Sequence, residues 1–428
     1  MKSRRWKLIP YLYSLWRFKL TRGGRYLFYG TALAGLGSVS VLVPIYQVFF
    51  SLAGLLSVCW LIGLLFRPNL AVRGELPAKA VAGMPLTVEL TITNRSRRPV
   101  FDLMLSCFDL PATIRHLAAE QTIPRLGGRQ SITMPLVLQP VRRGLYDLSA
   151  VRVHSTFPFN LIRTGSARYE LGTLLVLPAF HPVARIDVPA GSRYQPGGIA
   201  LTSNVGESPE YIGNREYVPG EPARRLDFRS WARLGKPVVR EYQEEYYCRI
   251  ALILDTFAAP KKFGPFSRRS SDGALGLVTS DSEWDAHLDA GVSLAATVAD
   301  ALSGGEYIVD LFAAGPELYV FRAGRHTAHL ENVLEILACV DVCRDDPFET
   351  IAPAIADELA NISTAICVFL DWDERRRRLA QTILDSGCRL KMLIVRDART
   401  SEPFNEQDLV DVSRFTIEQI RAGGIEKL

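Results

Sequence analysis

Arg249-Ile250-Ala251-Leu252-Ile253-Leu254-Asp255 is a continuous apolar run that stops on an acid. It is too short for an ordinary helix and lacks the polar alternation of a half-buried strand. It therefore reads as a strand covered on both faces, the kind found in parallel sheets. Downstream the pattern alternates between helix and strand. Residues 285–302 read as a helix, 307–313 and 318–322 as strands, and 329–339 and 350–361 as helices. A second buried strand over 365–370 ends at Asp371, and a helix over 374–386 follows it. A strand over 390–395 ends near Arg396 and Asp397, and a last helix takes 406–422. Such alternation specifies a doubly wound α/β domain over residues 249–428.

In an open parallel sheet the binding crevice lies beyond the carboxyl ends of the strands. Asp255, Asp371 and Asp373 fall there, and grouped carboxylates suit a hard cation such as Mg2+. The competing reading makes them helix caps or a polar rim. Asp371-Trp372-Asp373-Glu374-Arg375 begins like the nucleophile loop of a haloacid-dehalogenase-like phosphatase, but lacks the Thr or Val that should come next. There is no G-x-x-x-x-G-K-[ST] phosphate loop and no G-x-S-x-G elbow. Arg375 to Arg378 open a helix where positive charge is unfavourable, and read as a solvated helix face. The seven cysteines form no C-x-x-C pair and read as small core residues in a reducing compartment. A zinc site from Cys339, Cys343, His326 and His329 would lack the usual thiolate knuckle.

Working back toward the N-terminus, residues 185–248 are rich in Gly and Pro and contain a dense charged block around Arg215 to Arg240. Tyr217, Phe228 and Trp231 interleave with those charges, so the block reads as an ordered, Arg-rich segment packed on a neighbouring domain. Residues 68–184 change period to two. In Leu86-Thr87-Val88-Glu89-Leu90-Thr91-Ile92-Thr93 the apolar side chains share one face, and Asn94-Arg95-Ser96 supplies a turn. Similar runs at 132–138, 148–153 and 174–177 indicate a β-sandwich of immunoglobulin-like type.

From Tyr26 to Phe66 no residue is charged. The 41-residue run is twice the length of one span and reads as two transmembrane helices joined near 40–47, where Pro44 interrupts the pattern. The basic arm 1–25 contributes +8 to a net charge of +5, leaving −3 for the rest, so nucleic-acid binding is not indicated. Arg67 and Arg73 follow the run. By the positive-inside rule both ends lie in the cytoplasm, which gives a multi-pass inner-membrane protein with membrane lipid as one partner. At 428 residues, with 48% hydrophobic and 22% charged residues, the chain is multi-domain α+β.

The string Arg215-Glu216-Tyr217-x-Pro219-Gly220, with Arg224, Asp227, Ala232-Arg233 and Val239-Arg240-Glu241-Tyr242, closely resembles the bacterial family called domain of unknown function 58. Arg143-Gly144-Leu145-Tyr146 and Pro158-Phe159-Asn160-Leu161 add to the resemblance, which covers essentially the whole chain. Glu221 stands where the family commonly has Asp, Phe228 where it has Trp, and Trp231 where it has Ser. The resemblance implies that the last domain is von Willebrand factor A-like, with a metal motif D-x-S-x-S after its first strand. Here Asp255-Thr256-Phe257-Ala258-Ala259 lacks both serines. It further implies an association with MoxR-type AAA+ ATPases and supplies no reaction. The expectation is a membrane-anchored, non-enzymatic interaction or scaffold protein without a required cofactor. The alternatives are a metal-dependent hydrolase using Asp255, Asp371 and Asp373, and an envelope-facing adhesion module.

Overall fold

The structure is a computed structural model that describes residues 18–37, 45–107, 110–117, 122–148, 150–189, 211–218, 226–242, 248–257, 280–304, 307–314, 318–321, 329–344, 348, 355, 362–404 and 411–428. The chain divides into two compact units, Met1–Leu177 and Pro178–Leu428. Pro219, Gly220, Arg224, His326, the expected helix over 350–361 apart from Ile355, and most of the basic arm lie outside the described residues.

The first unit opens with helices α1 (Arg22–Gly37) and α2 (Ile45–Leu65). They run antiparallel, since Gly37 approaches Ile45, Gly35 approaches Phe49 and Gly30 approaches Leu52. With 21 residues α2 is long and apolar enough to cross a membrane. At 16 residues α1 is shorter than a span requires, so one helix, rather than the expected two, meets that length among the described residues.

Eleven strands follow: β1 (Leu70–Gly74), β2 (Lys79–Val81), β3 (Leu86–Asn94), β4 (Val100–Cys107), β5 (Ile114–His116), β6 (Thr122–Leu126), β7 (Ser131–Pro140), β8 (Gly144–Leu148), β9 (Val151–Ser155), β10 (Thr164–Tyr169) and β11 (Gly172–Leu177). They form sheets of order β1-β3-β7-β5, β10-β9-β4-β6 and β2-β11-β8. The two-residue period does what it promised. On β3, Val88, Leu90 and Ile92 are buried while Glu89 and Thr91 point out, and Val88 and Leu90 pair with Leu136 and Met134 of β7. The inward faces of both four-stranded sheets share one core, which includes Leu103, Leu105, Val151 and Val153. Each such side chain contributes roughly 1.5–3 kcal/mol on burial.

The second unit begins earlier than residue 185. Residues 178–189 run along the α/β part, with Asp187 N–H donating to Leu428 O at 2.6 Å and Thr364 Oγ1 donating to Pro189 O at 3.1 Å. The Arg-rich block forms its own two-stranded antiparallel sheet, β12 (Tyr211–Glu216) with β13 (Val238–Tyr242), and a short helix α3 (Phe228–Leu234) lies between them in sequence.

The rest alternates: β14 (Cys248–Leu254), α4 (Ser280–Ser303), β15 (Tyr307–Ala314), β16 (Leu318–Phe321), α5 (His329–Cys339), β17 (Thr364–Phe369), α6 (Glu374–Asp385), β18 (Arg389–Val395), β19 (Val412–Phe415) and α7 (Ile417–Ala422). The sheet order is β16-β15-β14-β17-β18-β19, parallel except for the edge strand β16. Ala251, Ile253, Ala365, Cys367 and Met392 face Leu379 and Ile383 of α6, while Leu254 and Val368 face α4 at Gly291. Both faces of the sheet are therefore covered, as the unbroken apolar runs required. The last element differs from expectation. Residues 412–415 extend the sheet beside β18, and only six residues after the Thr416 capping box are helical. The helical reading missed that Thr416 and Gln419 mark a helix start, so the residues before them are free to pair as a strand.

Candidate functional site

The carboxyl ends of β14 and β17 place Asp255 and Asp371 in the sheet interior, at 1% and 5% exposure. Asp373 follows and caps α6, accepting from the Arg376 N–H at 3.1 Å. These are the three acids the sequence singled out, and each is committed to protein donors. Asp255 Oδ1 accepts from Phe257 N–H at 2.8 Å. Its Oδ2 accepts from Leu370 N–H at 2.9 Å and from Arg376 Nε at 2.7 Å. Arg376 Nη1 donates to Asp373 Oδ2 at 2.7 Å and Nη2 to Phe257 O at 2.9 Å. The guanidinium lies 5.6 Å from the Phe257 ring and 5.4 Å from the Phe348 ring, at 2% exposure. Burial opposes its charge, but Asp255, Asp373 and Asp371 together outweigh that and hold its pKa above the ordinary arginine value.

Asp371 is held separately. Trp372 N–H and Ser401 N–H donate to its Oδ1, at 2.8 and 2.9 Å. Ser401 Oγ and Arg396 Nη1 lie 2.6 and 2.9 Å from Oδ2. Arg396 also lies over Trp284, 5.5 Å from the ring centroid. A divalent cation would need carboxylate lone pairs plus room for waters. Here a fixed cation already sits against Asp255 and Asp373, and another against Asp371. The residues therefore do not fit Mg2+.

Arg376 is the residue that sequence reasoning misplaced. Arg375 lies over the Phe257 ring at 5.0 Å, and Arg377 and Arg378 pair with Glu374 at 3.0 and 3.1 Å on the helix surface. Arg376 points inward instead. The signal was present: Leu379, Ala380 and Ile383 follow it at three, four and seven residues, on one helix face, and all are buried. Of the zinc candidates, Cys339 is exposed on α5 and Cys343 is buried at the backbone bridge to Phe257. Cys367 and Cys388 are core residues, and burial, with a smaller contribution from Asp255, pushes the Cys367 thiol pKa up.

The residues of the charged string assemble around β12 and β13. Arg215 and Glu216 end β12, Tyr217 N–H donates to Pro237 O at 3.0 Å, and Arg240 and Glu241 lie on β13 opposite Asn214 and Gly213. Asp227 is the hub. Its carboxylate caps α3 through Arg229 N–H and Ser230 N–H, and also accepts from Ser230 Oγ at 2.8 Å and Asn214 Nδ2 at 3.1 Å. Arg240 Nε lies 3.8 Å away. Ala232 and Arg233 complete α3, which ends at Gly235 in the left-handed region with φ 69°. Phe228 and Trp231 stack with centroids 6.0 Å apart and stay solvent-facing, at 65% and 37% exposure.

The Ser230 hydroxyl first, then Ser230 N–H and Asn214, hold the Asp227 carboxyl pKa down to about 2. A depressed carboxyl pKa stabilises the fold above its unfolded value and loses that contribution as pH falls through the folded one. Asn caps a helix as well as Asp but carries no charge. Asp227→Asn is therefore expected to melt a few degrees below wild type at pH 6, the gap closing toward pH 2. Asp227→Ala should melt lower than either at pH 6, as read by thermal scans of the full-length protein.

No family model matches the chain. The uncharacterized protein YeaD of Bacillus subtilis (strain 168) is 27% identical over 179 residues, which span 40% of this chain and 44% of that protein. The chain thus spans less than half the length of that relative. Among solved structures, the CARDB domain of a Pyrococcus furiosus protein in complex with di-metal ions is 15% identical, with a TM-score of 0.20, over 26% of this chain and 90% of that one. The ASH/PapD-like domain 7 of human CEP192 is also 15% identical, with a TM-score of 0.20, over 26% and 88%.

Proposed function

We propose that the chain is a membrane-anchored, non-enzymatic interaction protein whose α/β unit docks a MoxR-type AAA+ ATPase. The observation that carries this reading is the stacked, solvent-facing Phe228–Trp231 pair on a helix fixed at both ends by Asp227 and Gly235. Exposed aromatic side chains flanked by arginine are the usual anchors of protein interfaces. The saturated carboxylates support the absence of a hydrolytic role, because the metal-dependent alternative loses its ligands to Arg376 and Arg396. The sheet order, reversing direction at β14, supports a von Willebrand factor A-like domain that has exchanged a metal ion for a buried guanidinium. The 21-residue apolar helix α2, preceded by a basic arm, supports a membrane anchor with that arm on the cytoplasmic side.

Capture from detergent-solubilised native membranes tests it. With Phe228→Ala and Trp231→Ala combined, the AAA+ ATPase identified by mass spectrometry should be retained about 30-fold less well, as for loss of one interface anchor of about 2 kcal/mol. An unchanged melting curve with undiminished capture would refute the docking face.

A further inference from the structure

We propose that the cavity between the start of α1 and strands β9 and β10 binds a phosphate group, supplied by an anionic lipid headgroup at the membrane surface or by free phosphate. The proposal deepens the membrane-anchored reading and rests on it.

The cavity measures about 30 Å³ and is lined by Phe18, Lys19, Arg152, His154, Arg163 and Thr164, among others. Three of these are permanent cations, and no acid lines it among the described residues. Nor does the arm preceding it carry one, since residues 1–25 contain no Asp or Glu. The cations are placed by the fold. Arg163 N–H donates to Lys19 O at 2.7 Å and Arg163 Nη1 to Leu20 O at 2.9 Å, while Arg152 lies over the Phe18 ring at 4.6 Å.

His154 is the second, independent sign. It is 2% exposed, lines the cavity, and its Nε2 has no hydrogen-bond partner. A buried polar atom without a partner is costly and calls for one. Burial first, then the charge of Arg163, push its pKa down to about 3, so the ring is neutral at pH 7 and adds no further repulsion. An anion oxygen gives the Nε2–H form an acceptor, and Arg152, Arg163 and Lys19 supply charge-assisted donors.

Position favours a lipid. Thr164, which lines the cavity, packs on Gly63 so closely that a Cβ there would sit 2.5 Å from its Cγ2. Gly63 lies two residues before the end of α2 at Leu65, the point at which a spanning helix leaves the hydrocarbon and meets the phosphate layer. Basic pockets at this level are headgroup sites in other membrane proteins.

The test melts full-length protein in a neutral detergent with added phosphatidylglycerol, phosphatidylcholine or inorganic phosphate. Phosphatidylglycerol should raise Tm by several degrees and phosphatidylcholine should not. Lys19→Gln and Arg152→Gln should each weaken the phosphatidylglycerol response about tenfold in midpoint, whereas Lys19→Arg should keep it. Native mass spectrometry reads retained lipid independently of folding. A response to phosphatidylglycerol alone assigns the headgroup; an equal response to inorganic phosphate assigns free phosphate to the same cavity. No response to either, or a response unchanged in both Gln variants, overturns the site. Detergent-phase partitioning of the same samples reports the anchor separately, so a lost anchor and a lost site are told apart.

Discussion

Replacing Arg376 with leucine is expected to destabilise the unit formed by residues 178–428 by about 3–5 kcal/mol, the cost of breaking a buried ion pair from one side. The physical reason lies in what remains. The Asp255 side chain is fully buried, and without the guanidinium it keeps only the N–H groups of Phe257 and Leu370. Asp373 loses the Nη1 bond, and the Phe257 carbonyl loses its donor. Leucine fills part of the volume between the Phe257 and Phe348 rings, so the deficit is electrostatic more than steric. Two further outcomes distinguish this from simple loss of packing. Asp255→Asn combined with Arg376→Leu should recover a large part of the loss, because it removes the stranded charge. The single variant should also gain on wild type as pH falls from 7 to 5. An unpaired buried carboxyl has a folded pKa above its unfolded one, so its penalty acts at high pH and fades as the group takes up a proton. Thermal scans of the detergent-solubilised full chain read all three. A rise in wild-type Tm with millimolar Mg2+ that vanishes in Asp255→Ala would contradict the saturated-carboxylate reading.

The parts of this fold that sequence reveals are those where one periodicity rules over a whole element. β14, β17 and β18 are buried on both faces, so their apolar runs carry no competing signal, and each lies within a residue or two of its expected place. α5 begins at His329 and ends at Cys339 as read. The sandwich strand β3 is equally plain, since its two faces see core and water. Arg376 went unseen because a run of four arginines outweighs one residue's place on a helical wheel, and because its partner Asp255 lies 121 residues away. Residues 178–184 read as the end of the sandwich, but the segment 178–189 is fixed by backbone pairing of Arg185 and Asp187 with Lys427 and Leu428, which no local pattern announces. Residues 412–415 read as helix for a related reason: the signal for extension lies in their partner strand β18, not in their own pattern. The cationic cavity is least legible of all. Lys19 is legible only as one of eight basic residues in the arm, Arg152 and Arg163 stand out in no pattern, and the packing of Thr164 on Gly63 brings the three to the end of α2.

Placing two charges in the middle of α2, Leu55→Arg with Leu56→Arg, is expected to release the protein from the membrane. Each arginine at the centre of a span costs about 2.5–3.5 kcal/mol on insertion scales, so the pair costs about 5–7 kcal/mol, or more than a thousandfold in partitioning. The size of the effect follows from geometry. At 1.5 Å per residue the 21 residues of α2 extend about 31 Å, which matches a hydrocarbon core of about 30 Å and leaves both substitutions at its midplane. Among the described residues, no neighbouring element shields the helix in the manner of a soluble core. Phe50, Trp60, Leu61 and Leu65 are all more than half exposed, and Cys59 and Gly63 are its buried residues. Such a surface is stable in lipid and a liability in water. α1 is too short to hold the chain alone, so the variant should move from the detergent phase to the aqueous phase on cloud-point separation, while Leu55→Phe with Leu56→Phe stays behind. Wild-type protein in the aqueous phase would remove the anchor, and with it the reason for a phosphate site at the level of Gly63.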